Sequence, residues 1–258
     1  MNISKPSYGQ LIILFIPAAL LAAYLDAESL AQFVDLKPPL WLKICWSVCI
    51  ALTLHVITMG LLGTLWLKVP IKEMAFGFGK RWLRTSIASI PISLGILPLG
   101  GFVKFSSNEA KLQGWQRCVL ELSGCAVLLA LAAVIMGPRT TFDVPTIWKQ
   151  FVQGALSPFG YAQVLLIDLG RYLGDLDDLS IFAAMSLGIA ALNLFPLPPL
   201  NGGNALMYLV SSTIYPVTER AQERLFRVVI FPFLFGYGSW LLAFLFLAYN
   251  SWVRPSLY

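Results

Sequence analysis

Long apolar runs constrain this chain more than any other feature. A helix needs about 20 mostly apolar residues to cross a bilayer. The sequence offers such runs at about 11–25, 40–65, 119–136, 180–195 and 228–249. Composition points the same way: 58% of residues are hydrophobic and 12% are charged, against about 25% charged in a soluble domain. An ordinary soluble domain, a disordered tail and a secreted disulfide scaffold are all excluded. The expected fold is an all-α polytopic membrane protein of about five transmembrane helices.

Charge between the runs sets the expected direction. Residues 66–116 carry Lys68, Lys72, Lys80, Arg81, Arg84, Lys104 and Lys111 against Glu73 and Glu109. Residues 137–179 carry Arg139, Lys149 and Arg171 against Asp143, Asp168, Asp175, Asp177 and Asp178. Basic loops stay on the cytoplasmic side. The expectation is an integral protein of a bacterial inner membrane, N-terminus in the cytoplasm and C-terminus outside. The basic excess reads as orientation and lipid contact, not as nucleic-acid binding.

Two segments do not read as spans. Residues 85–105 are apolar but interrupted by Pro91, Pro98 and paired glycines. Proline and glycine at this density disfavour a helix, while Ile, Val and Phe favour strands. We read a re-entrant β-hairpin or strand loop, stable at membrane depth only where protein covers it. Residues 143–177 lack a long apolar run and fit an interfacial helix. The divisions are thus an N-terminal extra span with its outer loop (1–40), a membrane core (41–254), the strand loop inside it (85–105) and a short outer segment (137–179).

The chemistry-bearing strings are few. The chain has one histidine, His55, and four cysteines, Cys45, Cys49, Cys118 and Cys125, all in apolar runs. One histidine excludes a two-His metal site. Cys45 and Cys49 share a helix face, but His55 lies about 240° around from Cys49, which disfavours a joint site. The string Asn193-Leu-Phe-Pro196-Leu-Pro198-Pro199-Leu-Asn201-Gly202-Gly203 must break any helix it enters. Such breaks persist where they line a functional cavity.

In chain order, His55-Val56-Ile57-Thr58-Met59, Phe76-Gly77-Phe78-Gly79, Pro98-Leu99-Gly100-Gly101-Phe102-Val103-Lys104 and the Asn193–Gly203 string resemble the site-2 proteases, the intramembrane zinc metalloproteases. The likeness spans roughly residues 41–254 and is similar to the bacterial branch that cleaves anti-sigma factors. Ser157-Pro158-Phe159-Gly160-Tyr161-Ala162-Gln163 and Asn250-Ser251-Trp252-Val253-Arg254 add to it. The resemblance implies a zinc site built from His-Glu-x-x-His and the Asp of Leu-Asp-Gly-Gly. It also implies a strand edge that grips an unwound substrate.

The departures matter as much as the match. At the family's catalytic Glu stands Val56, at its second His Met59, and at its Asp Asn201. A catalytic zinc needs three protein ligands and an activated water; a thioether suits it poorly. Ser123-Gly124-Cys125-Ala126-Val127-Leu128 replaces the family's Ala-Gly-Pro-x-x-Asn. The outer segment 137–179 is too short for the PDZ domains of that branch.

The expected function is a catalytically inactive homologue without zinc. It binds a membrane segment or peptide client, or serves as a regulatory or structural subunit of a membrane complex. The peptide-binding candidates are Gly100, Gly101, Phe102, Val103, Asn193, Pro196 and Pro198. The lipid bilayer and a membrane protein or single-pass client are the expected partners. The alternatives are an active metallopeptidase with a non-standard metal site, and a transport or scaffold protein that reuses the cavity.

Overall fold

The computed structural model describes residues 38–87, 90–106, 112–198, 200–213 and 219–253. The expected span at 11–25, and most of the 1–40 division, lie outside these residues. Two prolines open the first helix, α1 (Pro38–Leu61), where a missing N–H costs nothing. A wider π turn, Leu62–Trp66, extends it. Lys68, in the left-handed region (φ 56°), then reverses the chain.

The chain continues into two long strands, β1 (Ile71–Ile87) and β2 (Ile90–Phe105). The strand region therefore begins at 71 rather than at the expected 85. It includes the Phe76-Gly77-Phe78-Gly79 string, whose glycines hid its strand character. Gly77 (φ 78°) bends β1. The pairing register records the consequence. Met74, Ala75 and Phe76 pair antiparallel with Val103, Phe102 and Gly101, and also pair with Ile92, Ser93 and Leu94. Leu83, Arg84 and Thr85 pair with Leu94, Ser93 and Ile92. The two bent strands thus lie as four segments in the order 83–85, 92–94, 74–76, 101–103.

Helix α2 (Gly114–Met136) starts at a capping box between Gln113 and Gln116. A 3-10 turn (Pro138–Asp143) leads to α3 (Val144–Leu156) and α4 (Tyr161–Gly174). The segment expected as one interfacial helix is therefore two short helices. Helix α5 (Asp178–Leu194) is capped by Asp177, whose carboxylate accepts from the Ser180 amide at 2.8 Å. The Pro-rich turn separates it from α6 (Asn201–Thr213). Helix α7 (Glu219–Val253) completes the described fold.

Among the described residues three helical stretches are long and apolar enough to cross a membrane: Leu42–Trp66, Gly114–Met136 and Arg227–Leu247. The expected span at 180–195 is the shorter apolar helix α5. A helix of 17 residues rises about 26 Å at 1.5 Å per residue, short of a bilayer core of about 30 Å. The molecule is a mostly helical membrane protein with a small sheet.

Small residues bring the helices close, as in other membrane cores. Ala51 of α1, Cys125 and Leu128 of α2 and Ala190 of α5 are fully buried together. Lys43 and Asp178 pair at 2.5 Å, joining the starts of α1 and α5. Helix α3 holds α7 through the stacked rings of Phe151 and Trp240, and the Trp240 indole donates to the Phe151 carbonyl at 2.9 Å.

The sheet lies on α1 through glycine. A Cβ on Gly101 would meet Val56 at 2.8 Å and the Ala75 carbonyl at 2.5 Å. One on Gly60 would meet Met74 at 2.5 Å and Val103 at 3.9 Å, and one on Gly63 would strike the Phe105 ring. Alternate strand residues 101, 103 and 105 therefore step along helix positions 56, 60 and 63. The repeats are near enough to match: two strand residues rise about 6.6 Å, and one helical turn about 5.4 Å.

On the other face of β2, Lys104 pairs with Glu73 at 3.3 Å, and the Ser93 hydroxyl donates to the same carboxylate at 3.2 Å. Burial pushes the Glu73 carboxyl up, but the hydrogen bond and charge of Lys104, with Ser93 and Arg81, outweigh it and hold the group below its usual range. A lowered carboxylate adds stability above the ordinary range and loses it as pH falls through the folded value. We predict that hydrogen exchange at 71–76 and 101–105 accelerates in acid relative to a Glu73→Gln variant, and that the gap closes once Glu73 is protonated.

Glycine also fixes the start of α6. A Cβ on Gly203 would land on the Leu197–Pro198 backbone, and one on Gly188 would meet nothing within 4 Å. Gly203→Ala is expected to cost about 1–3 kcal/mol as overpacking. Gly188→Ala, inside a helix, is expected to be neutral or to stabilise by about 0.5–1 kcal/mol. Thermal unfolding in detergent checks both.

Candidate functional site

The Pro-rich turn and the two glycines place Asn201 at the first position of α6. Gly202 sits so close to Leu194 that a Cβ would strike its backbone carbonyl. From there the Asn201 side chain reaches two other helices. Its Nδ2 donates to the Glu121 backbone carbonyl of α2 at 2.8 Å. The same atom lies 3.1 Å from His55 Nε2 and 3.7 Å from Met59 Sδ, both on α1. The positions that the sequence marked as degenerate ligands, His55, Met59 and Asn201, thus meet at one point.

The Glu121 carbonyl decides which way the carboxamide faces, because a carbonyl only accepts. Turning the amide would set Oδ1 against it. With Nδ2 fixed there, His55 Nε2 is the acceptor and the ring proton belongs on Nδ1. That nitrogen faces the Gly124 backbone, without a hydrogen bond of normal geometry. His55 is buried at 7% exposure. A Cβ at position 124 would run into its ring, so Gly124 is the residue that admits the imidazole.

Val56 is 2% exposed and lies under Gly101. At the position where the family holds its general base there is a dry, strand-covered methyl group. Leu128, where the family has Asn, is fully buried in the α1–α2–α5 core.

The other candidates distribute unevenly. Gly100, Gly101, Phe102 and Val103 lie in β2, and 101–103 form one outer segment of the sheet. Among the described residues no strand pairs with its far side. Two cations lie against the Phe102 ring, Arg81 at 5.2 Å and Lys104 at 4.9 Å from its centroid. Asn193 does not join this group through a hydrogen bond. It donates to the Ile189 carbonyl of its own helix at 2.9 Å. Pro196 and Pro198 shape the turn beside it. Phe195 anchors that turn edge-on against Trp148, 5.7 Å between centroids. The Trp148 indole donates to the Ala191 carbonyl at 2.7 Å. Sequence reasoning missed the Trp148 anchor and the Glu121 carbonyl. The first is legible only as a tryptophan in an amphipathic helix, and a backbone acceptor leaves no sequence signal.

The model of peptidase family M50 matches residues 49–236. The chain belongs to peptidase family M50, the site-2 proteases. Two curated relatives bear the name "Putative zinc metalloprotease". One, from Brucella suis biovar 1 (strain 1330), is 45% identical over 51 residues, covering 19% of this chain and 14% of the relative. The other, from Mesorhizobium japonicum, is 48% identical over 48 residues, covering 18% of this chain and 13% of the relative. The match therefore spans about one seventh of each relative's length. No solved structure matches the chain.

Zinc, which those names imply, does not fit the donor set at this point. His55 Nε2 is a sound ligand. Met59 offers a soft thioether, and Asn201 presents an N–H donor instead of an oxygen. Among the described residues no three of His, Cys, Asp and Glu come together as a metal cluster.

Replacing Asn201 by Leu leaves His55 Nε2 and the Glu121 carbonyl without their shared donor. A buried group left unsatisfied costs about 1–3 kcal/mol, so Asn201→Leu is expected to lower the unfolding temperature clearly. Met59→Leu keeps volume and loses only a weak acceptor, and should cost under about 1.5 kcal/mol. Comparing the two melting curves checks the ranking.

Proposed function

We propose that this site-2 protease family member has exchanged catalysis for binding: it is a pseudoprotease that holds an extended peptide or an unwound membrane segment. The observation that carries the reading is the Asn201 carboxamide, turned by the Glu121 carbonyl so that its N–H faces His55 and Met59. An N–H donor aimed at the ligand point repels a cation. The covered Val56 supports the same reading, because a water-activating base needs both a carboxylate and access to water.

The binding side of the proposal rests on the outer segment 101–103. An unpaired edge binds an extended chain through backbone hydrogen bonds, with side-chain pockets adding choice. Here that edge runs beside α1 at the former base position. Pro196, Pro198 and Asn193 form the opposing turn in this reading. A client segment gripped there is not cut. The protein then acts as a holder of that segment or as a regulatory subunit of its complex. It sits in a bacterial inner membrane with the basic hairpin on the cytoplasmic side.

Two measurements test this. A photo-crosslinker at Phe102, in the native membrane, is expected to capture a single-pass or unwound segment; capture of nothing overturns the binding reading. Purified protein is expected to hold no stoichiometric zinc, whereas Met59→His combined with Asn201→Asp restores about one zinc per chain, as three strong ligands should. Stoichiometric zinc in the wild type, lost in His55→Ala, overturns the inactive reading.

A further inference from the structure

The bend at Gly77 gives the sheet a second outer segment, separated from the 101–103 edge by the segments 92–94 and 74–76. Leu83, Arg84 and Thr85 pair only on one side among the described residues. Lys80, Trp82 and Arg84 flank the register shift between Arg81 and Leu83 at the start of this segment. All three are exposed, Trp82 at 66%. Arg81 is engaged with the Gly77 carbonyl and the Phe102 ring. Leu83 is 42% and Ile87 63% exposed. The sequence has no Asp or Glu from 74 to 108; Glu73 pairs with Lys104 and acts on Arg81, and among the described residues neither Lys80 nor Arg84 is in a salt bridge.

We propose that this segment, through Lys80, Trp82 and Arg84, docks on anionic phospholipid headgroups. Depth carries the argument. The sheet packs on α1 at 56–63, inside the span Leu42–Trp66. Trp66 and Trp115 meet edge to face at 5.9 Å where α1 ends and α2 begins, which marks the interfacial belt. Uncompensated cations do not stay at hydrocarbon depth. An edge segment carrying two exposed cations around a tryptophan fits the headgroup layer, with Trp82 at its boundary. An acidic peptide would satisfy the charges but leave Trp82, Leu83 and Ile87 in water. The proposal is independent of whether the 101–103 edge binds a client.

The test is hydrogen exchange of the full chain in nanodiscs of phosphatidylcholine, with and without phosphatidylglycerol. Two cations on an anionic surface predict exchange on the order of tenfold slower at 80–87 in the anionic discs, reversed by high salt. Lys80→Gln with Arg84→Gln should abolish the difference. The wild-type comparison alone decides the matter if that variant does not fold. Equal exchange in both discs overturns the proposal. So does protection that appears only when an acidic peptide is added to neutral discs.

Discussion

The architecture turns on a single hydrogen-bond donor, the carboxamide nitrogen of Asn201. It joins the start of α6 to a carbonyl of α2 and to two side chains of α1. In a low-dielectric core such a group binds tightly and is costly to leave unpaired. The family's carboxylate at this position cannot take its place alone. An anion facing the Glu121 carbonyl needs a cation between them. The neutral amide needs none: its two N–H groups go to the Glu121 carbonyl and His55 Nε2, with Met59 Sδ 3.7 Å from the same nitrogen.

The same economy governs the sheet. Gly60, Gly63 and Gly101 let strand and helix touch over one continuous line. Val56 lies on that line, so the change from Glu to Val at the base position is also a change in packing. A carboxylate there would face the strand at Gly101. The strand seals the position, and sealing leaves the outward edge of 101–103 as the exposed product.

Much of this was legible in the sequence. The runs at 40–65, 119–136 and 228–249 announced their helices because length and apolarity suffice for that inference. The break at Pro196–Gly203 was legible from proline alone. The start of β1 was not, because Gly77 and Gly79 mask a strand whose pairing partners lie far along the chain. The run at 180–195 marked α5 to within two residues, but its 17 residues fall short of a bilayer core of about 30 Å, so length and not composition separates it from a span. At the site, the sequence located His55, Met59 and Asn201 but read them as remnants left to pack. Their convergence depends on a backbone carbonyl, which no side-chain pattern reports.

The Gly77 bend ties these observations to the rest of the surface. A straight hairpin would have one free edge on each strand, both equally near α1. Bending places residues 74–76 and 92–94 in the middle, paired on both sides, and moves the two free segments apart. One lies along the spanning helix, built of glycine and valine with two cations against Phe102. The other is basic and aromatic and lies at the opposite end of the sheet order. A two-strand element thereby presents two chemically different edges, and its register is pinned by the glycines that rest on α1. Slippage by one residue would exchange the faces of every side chain, placing Lys104 against Gly60 and Gly63. That cost holds the two edges in their separate environments.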